Sequence, residues 1–310
     1  LVTAEAPQGV FFLSLIEGGN FHLFAYAPLS LPLTRLTADA WDDITPAISP
    51  DGSLLAFSSR RNGYWDLYLL DLGGGGILRL TDTPEYDAAP SWSPDGALIA
   101  YESYVNGNLD IYYRSATDPG QAPFQLTQHS AADTSPAWQP ILGRQIAFIS
   151  NRSGESEVWI ADLDQGGNVS DVSNNPRTVE AHPAWSPDGS KLAWASTEPD
   201  SGLTSLYVWD ARNPEAPARW AGPGDWPVWQ ADNSIASRLP APNQTYLTGY
   251  TTAGVITIPP MLLPGSLYGL SFGISSAALP GPFQAAAQVT PAAPFGAGTN
   301  PLPYIPSGRA

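Results

Sequence analysis

Short apolar runs alternate with polar, turn-forming stretches along most of the chain, and they recur at a fixed interval. Leu54-Leu55-Ala56-Phe57, Leu98-Ile99-Ala100-Tyr101, Ile146-Ala147-Phe148-Ile149 and Leu192-Ala193-Trp194 each stand between turn signals. Runs this short, bounded by Gly, Pro, Asn and Ser, read as strands rather than helices. A turn containing Gly63, Gly107, Gly154 or Gly202 leads from each run to a further strand. Those strands begin at Asp66-Leu67-Tyr68, Asp110-Ile111-Tyr112, Glu157-Val158-Trp159 and Ser205-Leu206-Tyr207. The triplets Arg79-Leu80-Thr81, Gln125-Leu126-Thr127, Asp171-Val172-Ser173 and Arg219-Trp220-Ala221 close the units.

A marker precedes every unit. Its clearest copies are Pro46-Ala47-Ile48-Ser49-Pro50-Asp51-Gly52, Pro90-Ser91-Trp92-Ser93-Pro94-Asp95-Gly96 and Pro183-Ala184-Trp185-Ser186-Pro187-Asp188-Gly189. Degenerate copies begin at Pro136 and Pro227, so the steps between markers are 44, 46, 47 and 44 residues. A period of 40 to 50 residues is the spacing of propeller blades. Ser-Pro-Asp-Gly is a tight hairpin, in which Pro presets φ, Asp bonds back to the backbone and Gly accepts positive φ. Trp92, Trp138, Trp185 and Trp229 are expected on innermost strands, buried between neighbouring blades.

The pattern predicts an all-β chain folded as a six-bladed β-propeller with four-stranded antiparallel blades. At the N-terminus, Val10 to Ser14, Phe21 to Tyr26 and Leu33 to Thr37 match strands two, three and four, with no first strand before them. The segment Ser266 to Phe272 is expected to supply it, so that N- and C-terminal strands share one blade and no sheet edge stays open. The propeller then occupies residues 1–272, and residues 273–310, rich in Ala, Pro and Gly, form a linker or docking tail.

The repeated Leu-Thr, Asp-x-x-Pro-x-Trp-Ser-Pro-Asp-Gly, Ile-Ala-Phe and Asp-Leu-Tyr pattern resembles the WD40-like (PD40) repeats of TolB-like proteins and of the propellers attached to tricorn and prolyl-oligopeptidase-type peptidases. The resemblance implies a propeller over roughly residues 10 to 272 and, on the TolB side, a protein-binding platform in the periplasm. It also implies a protein other than TolB itself, because no smaller α/β domain fits before Val10.

Composition narrows the function. Charged residues are 14% of the chain, against roughly 25% in an average soluble domain, while 29 Gly and 32 Pro supply many turns. The formal net charge of -16 repels polyanions, so nucleic acid is not an expected partner. No apolar run is long enough to insert in a membrane, and with no Cys there is neither a disulfide framework nor thiol chemistry. The start at Leu1 is expected to follow a removed leader, anchor or upstream domain. Together with the family resemblance, this points outside the cytoplasm, to a periplasmic, cell-surface or secreted chain.

No phosphate-cradling loop followed by Lys occurs; Gly73 to Gly76 read as a flexible turn. His22, His129 and His182 lie in different repeats and are expected in loops or at the surface. One constellation remains. Asp43, Asp87, Asp133 and Glu180 stand three residues before the Pro of their repeats, and Asp225 two before Pro227. Converging at the channel mouth, they would form an acidic ring able to hold a hard cation such as Ca²⁺ or a basic peptide. The alternative is that each fastens its own blade, with Arg61 and Arg152 as partners of neighbouring acids. The expectation is therefore a non-catalytic binding or scaffolding propeller with a protein partner and no cofactor. Competing readings are a lyase, lactonase or glycosidase with its site at the mouth, or a subunit of an extracellular assembly or homo-oligomer.

Overall fold

The structure, a computed structural model, describes residues 10–27, 31–229, 234–238, 247–249, 273–276 and 283–285. The described residues form six sheets with one single-turn 3₁₀ helix at Leu163–Gln165. The first sheet holds β1 (Phe11–Glu17), β2 (Asn20–Ala27) and β3 (Leu31–Arg35). Blade A follows, with β4 (Asp43–Ile48), β5 (Leu54–Ser59), β6 (Asp66–Asp71) and β7 (Ile77–Arg79). Blade B holds β8 (Tyr86–Trp92), β9 (Leu98–Val105), β10 (Asn108–Ser115) and β11 (Phe124–Gln125). Blade C holds β12 (Asp133–Trp138), β13 (Gln145–Ser150), β14 (Glu157–Asp162) and β15 (Asn168–Asp171). Blade D holds β16 (Val179–Trp185), β17 (Lys191–Thr197), β18 (Thr204–Asp210) and β19 (Arg219–Pro223).

Blade E opens with β20 (Asp225–Trp229) and β21 (Ser234–Arg238). It departs from the pattern of the others. Its remaining strands are β22 (Leu247–Gly249), β23 (Gly273–Ser276) and β24 (Phe283–Ala285), in the spatial order β20-β21-β23-β22-β24 with β22 and β23 parallel. The boundary expected at 272 thus falls one residue before a strand that pairs with β21.

The blade count differs from the expectation. Five blades, not six, begin with an inner strand; the first sheet has three strands, and β1 pairs with β2 alone among the described residues. The reason is that the N-terminal unit starts at its second strand. The segment expected to complete it, Ser266 to Phe272, lies outside the described residues.

Successive first strands β4, β8, β12, β16 and β20 contact one another, as only the innermost strands around an axis do. Each sheet joins the next through an apolar cluster. Leu23, Leu55 and Phe57 link the first sheet to A; Ala56, Leu67, Trp92 and Ile99 link A to B; Ala100, Trp138 and Ile146 link B to C. Ala147, Val158, Trp185 and Leu192 link C to D, and Ala193, Leu206 and Ile235 link D to E. Fully burying one such Leu, Ile or Phe contributes about 1.5–3 kcal/mol, so the interfaces carry much of the stability.

The marker residues have specific duties. Trp92, Trp138 and Trp185 are buried on inner strands as expected, and Trp229 is partly buried. Three indoles reach back across the interface: Trp92 Nε1 donates to the Ala47 carbonyl at 2.9 Å, Trp185 to Ala137 at 3.1 Å and Trp229 to Ala184 at 2.8 Å. Trp138 instead donates to Gly143 in its own hairpin, at 3.0 Å. In the hairpin, Ser49 Oγ donates to Asp51 at 2.6 Å and accepts from Leu54 N at 2.9 Å, with Gly52 at φ +75°. The same contacts recur around Asp95 and Asp188.

Candidate functional site at the axial face

In a meander of four antiparallel strands, the loops between strands two and three and between one blade and the next share one end. The acidic residues singled out from the sequence all stand first or second in inner strands, at this end. Asp43 is fully buried and accepts from Arg61 Nη2 at 3.0 Å, while the guanidinium lies 4.8 Å from the Tyr68 ring centre. Asp133, also fully buried, accepts from Arg152 Nη2 at 2.9 and 2.7 Å, and Arg152 covers the Phe148 and Trp159 rings. Blades B and D use hydroxyls. Asp87 accepts from Ser103 at 2.5 Å and Thr83 at 2.9 Å, and Glu180 from Thr178 at 2.8 Å and Ser196 at 3.2 Å.

The two kinds of fastening have different electrostatics. Without a cation beside them, burial pushes the Asp87 carboxyl up, and the Glu180 carboxyl up to about 7, against hydroxyl hydrogen bonds that lower both. Asp225 stands apart at a partly exposed position, 2.8 Å from His182 Nδ1. Among the described residues, no three His, Asp or Glu side chains stand together in a way that could hold a metal ion. Asp43, Asp87, Asp133 and Glu180 each hydrogen-bond to partners within their own blade.

A second layer of buried acids opens the third strands. Asp66 accepts from Arg79 at 2.6 Å and Thr81 at 3.1 Å, and Asp110 from Thr127 at 3.2 Å; Glu157 accepts from Ser173. The Leu-Thr element thereby acquires a cause. Each hydroxyl also accepts a backbone N–H, as Thr81 does from Leu67 at 2.9 Å and Thr127 from Ile111 at 2.9 Å.

A bulge shared by the inner strands was not legible in the sequence. In every inner strand the pairing slips just before the repeat Pro, and the pre-proline residue adopts left-handed backbone: Thr45, Ala89, Ser135, His182 and Trp226, at φ between 51° and 54°. Proline is tolerated there because the strand is an edge, with no ladder partner on its axial side. The bulged backbone ties blades together, as Ala89 N donates to Ser58 at 3.1 Å and Ser135 N to Glu102 at 2.7 Å. Glu102 also accepts from the Tyr86 hydroxyl at 3.0 Å, and burial raises its pKa.

At two of these positions the side chain is a large ring, His182 and Trp226. The His182 ring stacks on Trp226 with centres 3.6 Å apart, and Trp226 is 37% exposed. His182 sits on an inner strand with its side chain partly exposed and His129 lies in a loop, whereas His22 is buried in β2 and not in a loop or at the surface as expected. Further apolar surface opens on the same end at Trp41, Tyr64 and Leu203.

Residues 37–122 match the TolB beta propeller domain, PD40. A TolB homolog from Chlorobaculum tepidum is 40% identical over 68 residues, which is 22% of this chain and 15% of that protein. The crystal structure of TolB from Acinetobacter baumannii superposes with a TM-score of 0.69 at 21% identity, covering 77% of this chain and 60% of that one. A Mycobacterium tuberculosis puromycin-hydrolyzing peptidase superposes with a TM-score of 0.55 at 14% identity, covering 73% of this chain and 40% of that one. The repeat is TolB-like, the fold is an all-β propeller, and the chain spans less than two thirds of these relatives. No helix among the described residues is long and apolar enough to cross a membrane.

Proposed function

We propose that this chain is a non-catalytic, protein-binding propeller exported from the cytoplasm, and that it binds its partner on the axial face. One observation carries the reading. The recurring carboxylates Asp43, Asp87, Asp133 and Glu180 are consumed in fastening blades, whereas the departures from the repeat, His182 and Trp226, stay partly exposed on neighbouring inner strands. Aromatic residues with partial exposure are what protein interfaces use as anchors. A glycosidase or lyase at the mouth would need a free pair of reacting carboxylates, and Asp43, Asp87, Asp133 and Glu180 are each buried against partners of their own blade.

The test uses two positions of similar exposure. A photo-crosslinking residue replaces Val228 on inner strand β20, 54% exposed, or Leu78 on outermost strand β7, 50% exposed. Incubated with an envelope fraction of the source cells, the Val228 derivative is expected to capture a protein that the Leu78 derivative does not, and Trp226→Ala should abolish the capture. Equal capture from both positions, or turnover of lactone or oligosaccharide substrates by the purified chain, would refute the reading.

A further inference from the structure

The same face carries an open cleft of about 410 Å³ away from the axis, where the hairpin after β5 meets blade B. Four aromatic residues line it: Tyr64 and Trp65 from blade A, and Tyr86 and Tyr104 from blade B, with Pro84 and Glu85 from the connecting loop. These aromatics are absent from the other blades. Where blade A has Tyr64-Trp65 before its third strand, B has Asn108-Leu109 and C has Glu155-Ser156. Where B has Tyr104, C has Asn151 and D has Thr197. The fold is built without them elsewhere, so the scaffold alone does not account for them.

The electrostatics of the cleft point one way. Glu85 is the charged residue that lines it, and the chain as a whole carries a formal net charge of -16. Aromatic faces are themselves negative, so they attract cations and add to the carboxylate rather than opposing it. The neighbouring Arg60 does not neutralise this site: it is ion-paired with Asp42 and lies 5.9 Å from the Trp65 ring centre. That distance is the outer limit at which an indole face attracts a cation.

We propose that the cleft is a socket for an arginine side chain of the protein partner. A guanidinium is planar, stacks on aromatic faces and pairs with carboxylate, and it is a frequent interface anchor. The assignment rests on the protein-binding reading, but the two are tested separately. Blocked tripeptides, alanine on either side of arginine, lysine, citrulline or glutamate, are titrated against the whole chain. The readout is the Trp65 indole N–H resonance, assigned by its loss in Trp65→Phe.

The arginine peptide is expected to shift that resonance, the citrulline peptide to bind about tenfold more weakly, and the glutamate peptide to have no effect. Tyr64→Ala and Glu85→Gln should each weaken the arginine peptide by about three- to tenfold, without moving the melting temperature. Equal binding of arginine and citrulline, indifference to both substitutions, or a stronger shift with cellobiose would overturn the proposal. If the arginine peptide binds but axial crosslinking captures nothing, the socket stands and the axial platform falls. If a partner is captured and the peptide leaves Trp65 unmoved, the socket alone falls.

Discussion

Asp87→Asn and Asp133→Asn change the same position in adjacent blades, and the structure makes them unequal. Asp133 neutralises Arg152, whose side chain is 11% exposed and held over two aromatic rings, with Nε donating to Ser150 at 2.9 Å. The neutral amide leaves that guanidinium buried and uncompensated, a loss of about 3–5 kcal/mol. Asp87 faces only hydroxyls, which can reorient toward an amide, so its replacement costs about 1 kcal/mol or less. For a chain of this size, 1 kcal/mol moves the melting temperature by about 2 °C, so the expected losses are about 6–10 °C for Asp133→Asn and at most about 2 °C for Asp87→Asn. Urea denaturation with unchanged slope is the assay. Arg152→Met added to Asp133→Asn should recover much of the loss, because no orphan charge then remains. Equal costs for the two single variants, or no recovery in the double, would show that the assignment of fasteners is wrong.

Stability should fall between pH 5 and pH 8. Glu180 has a folded pKa of about 7, above the 4.5 of the unfolded chain, so its contribution is complete below 4.5 and is lost as pH rises through 7; Glu180→Gln should flatten the urea midpoint over that range. The turn carboxylates Asp51 and Asp188 act at the other end: their pKa values are lowered to about 2, so their contribution is present above about 3.8 and lost as pH falls through 2. Gly189→Ala should destabilise more than Gly52→Ala in thermal melts. Both glycines have positive φ, but a Cβ at Gly189 would lie 2.9 Å from the Pro140 carbonyl oxygen, whereas Gly52 has nothing within 4 Å. Ile141, 68% exposed, holds a β-branched side chain at φ +70°, so Ile141→Asn should stabilise by about 1 kcal/mol in urea titrations.

Much of the fold was legible because the repeat marks itself. Ser-Pro-Asp-Gly dictates a local hairpin, and the Trp before it must find an apolar interface, so both could be placed without coordinates. The pairing of Arg61 and Arg152 with acids was legible too, since the arginines recur two residues beyond the second strands in A and C and are absent from B and D. The blade count was not. It depended on a pairing between distant termini that no local pattern encodes. The bulges escaped for a different reason: a residue before proline is ordinarily extended, so nothing in Ala181-His182-Pro183 announces a left-handed turn. His182 and Trp226 meet only because two adjacent inner strands bulge in the same way.

That bulge has an evolutionary consequence. Thr, Ala, Ser, His and Trp all occupy it with nearly the same backbone angle, between 51° and 54°, so the turn is imposed by the strand and is indifferent to the side chain it displays. The five positions behave like dials on a common frame. Ala89 and Ser135 display side chains that make none of the indole-to-carbonyl links, whereas Thr45 hydrogen-bonds Ser58 at 2.7 Å and His182 stands 2.8 Å from Asp225; adjacent settings can be combined, as a ring on one strand stacks against a ring on the next. Partner choice can then drift quickly on a chassis that hardly changes, and a designer seeking a new specificity would randomise these five residues first.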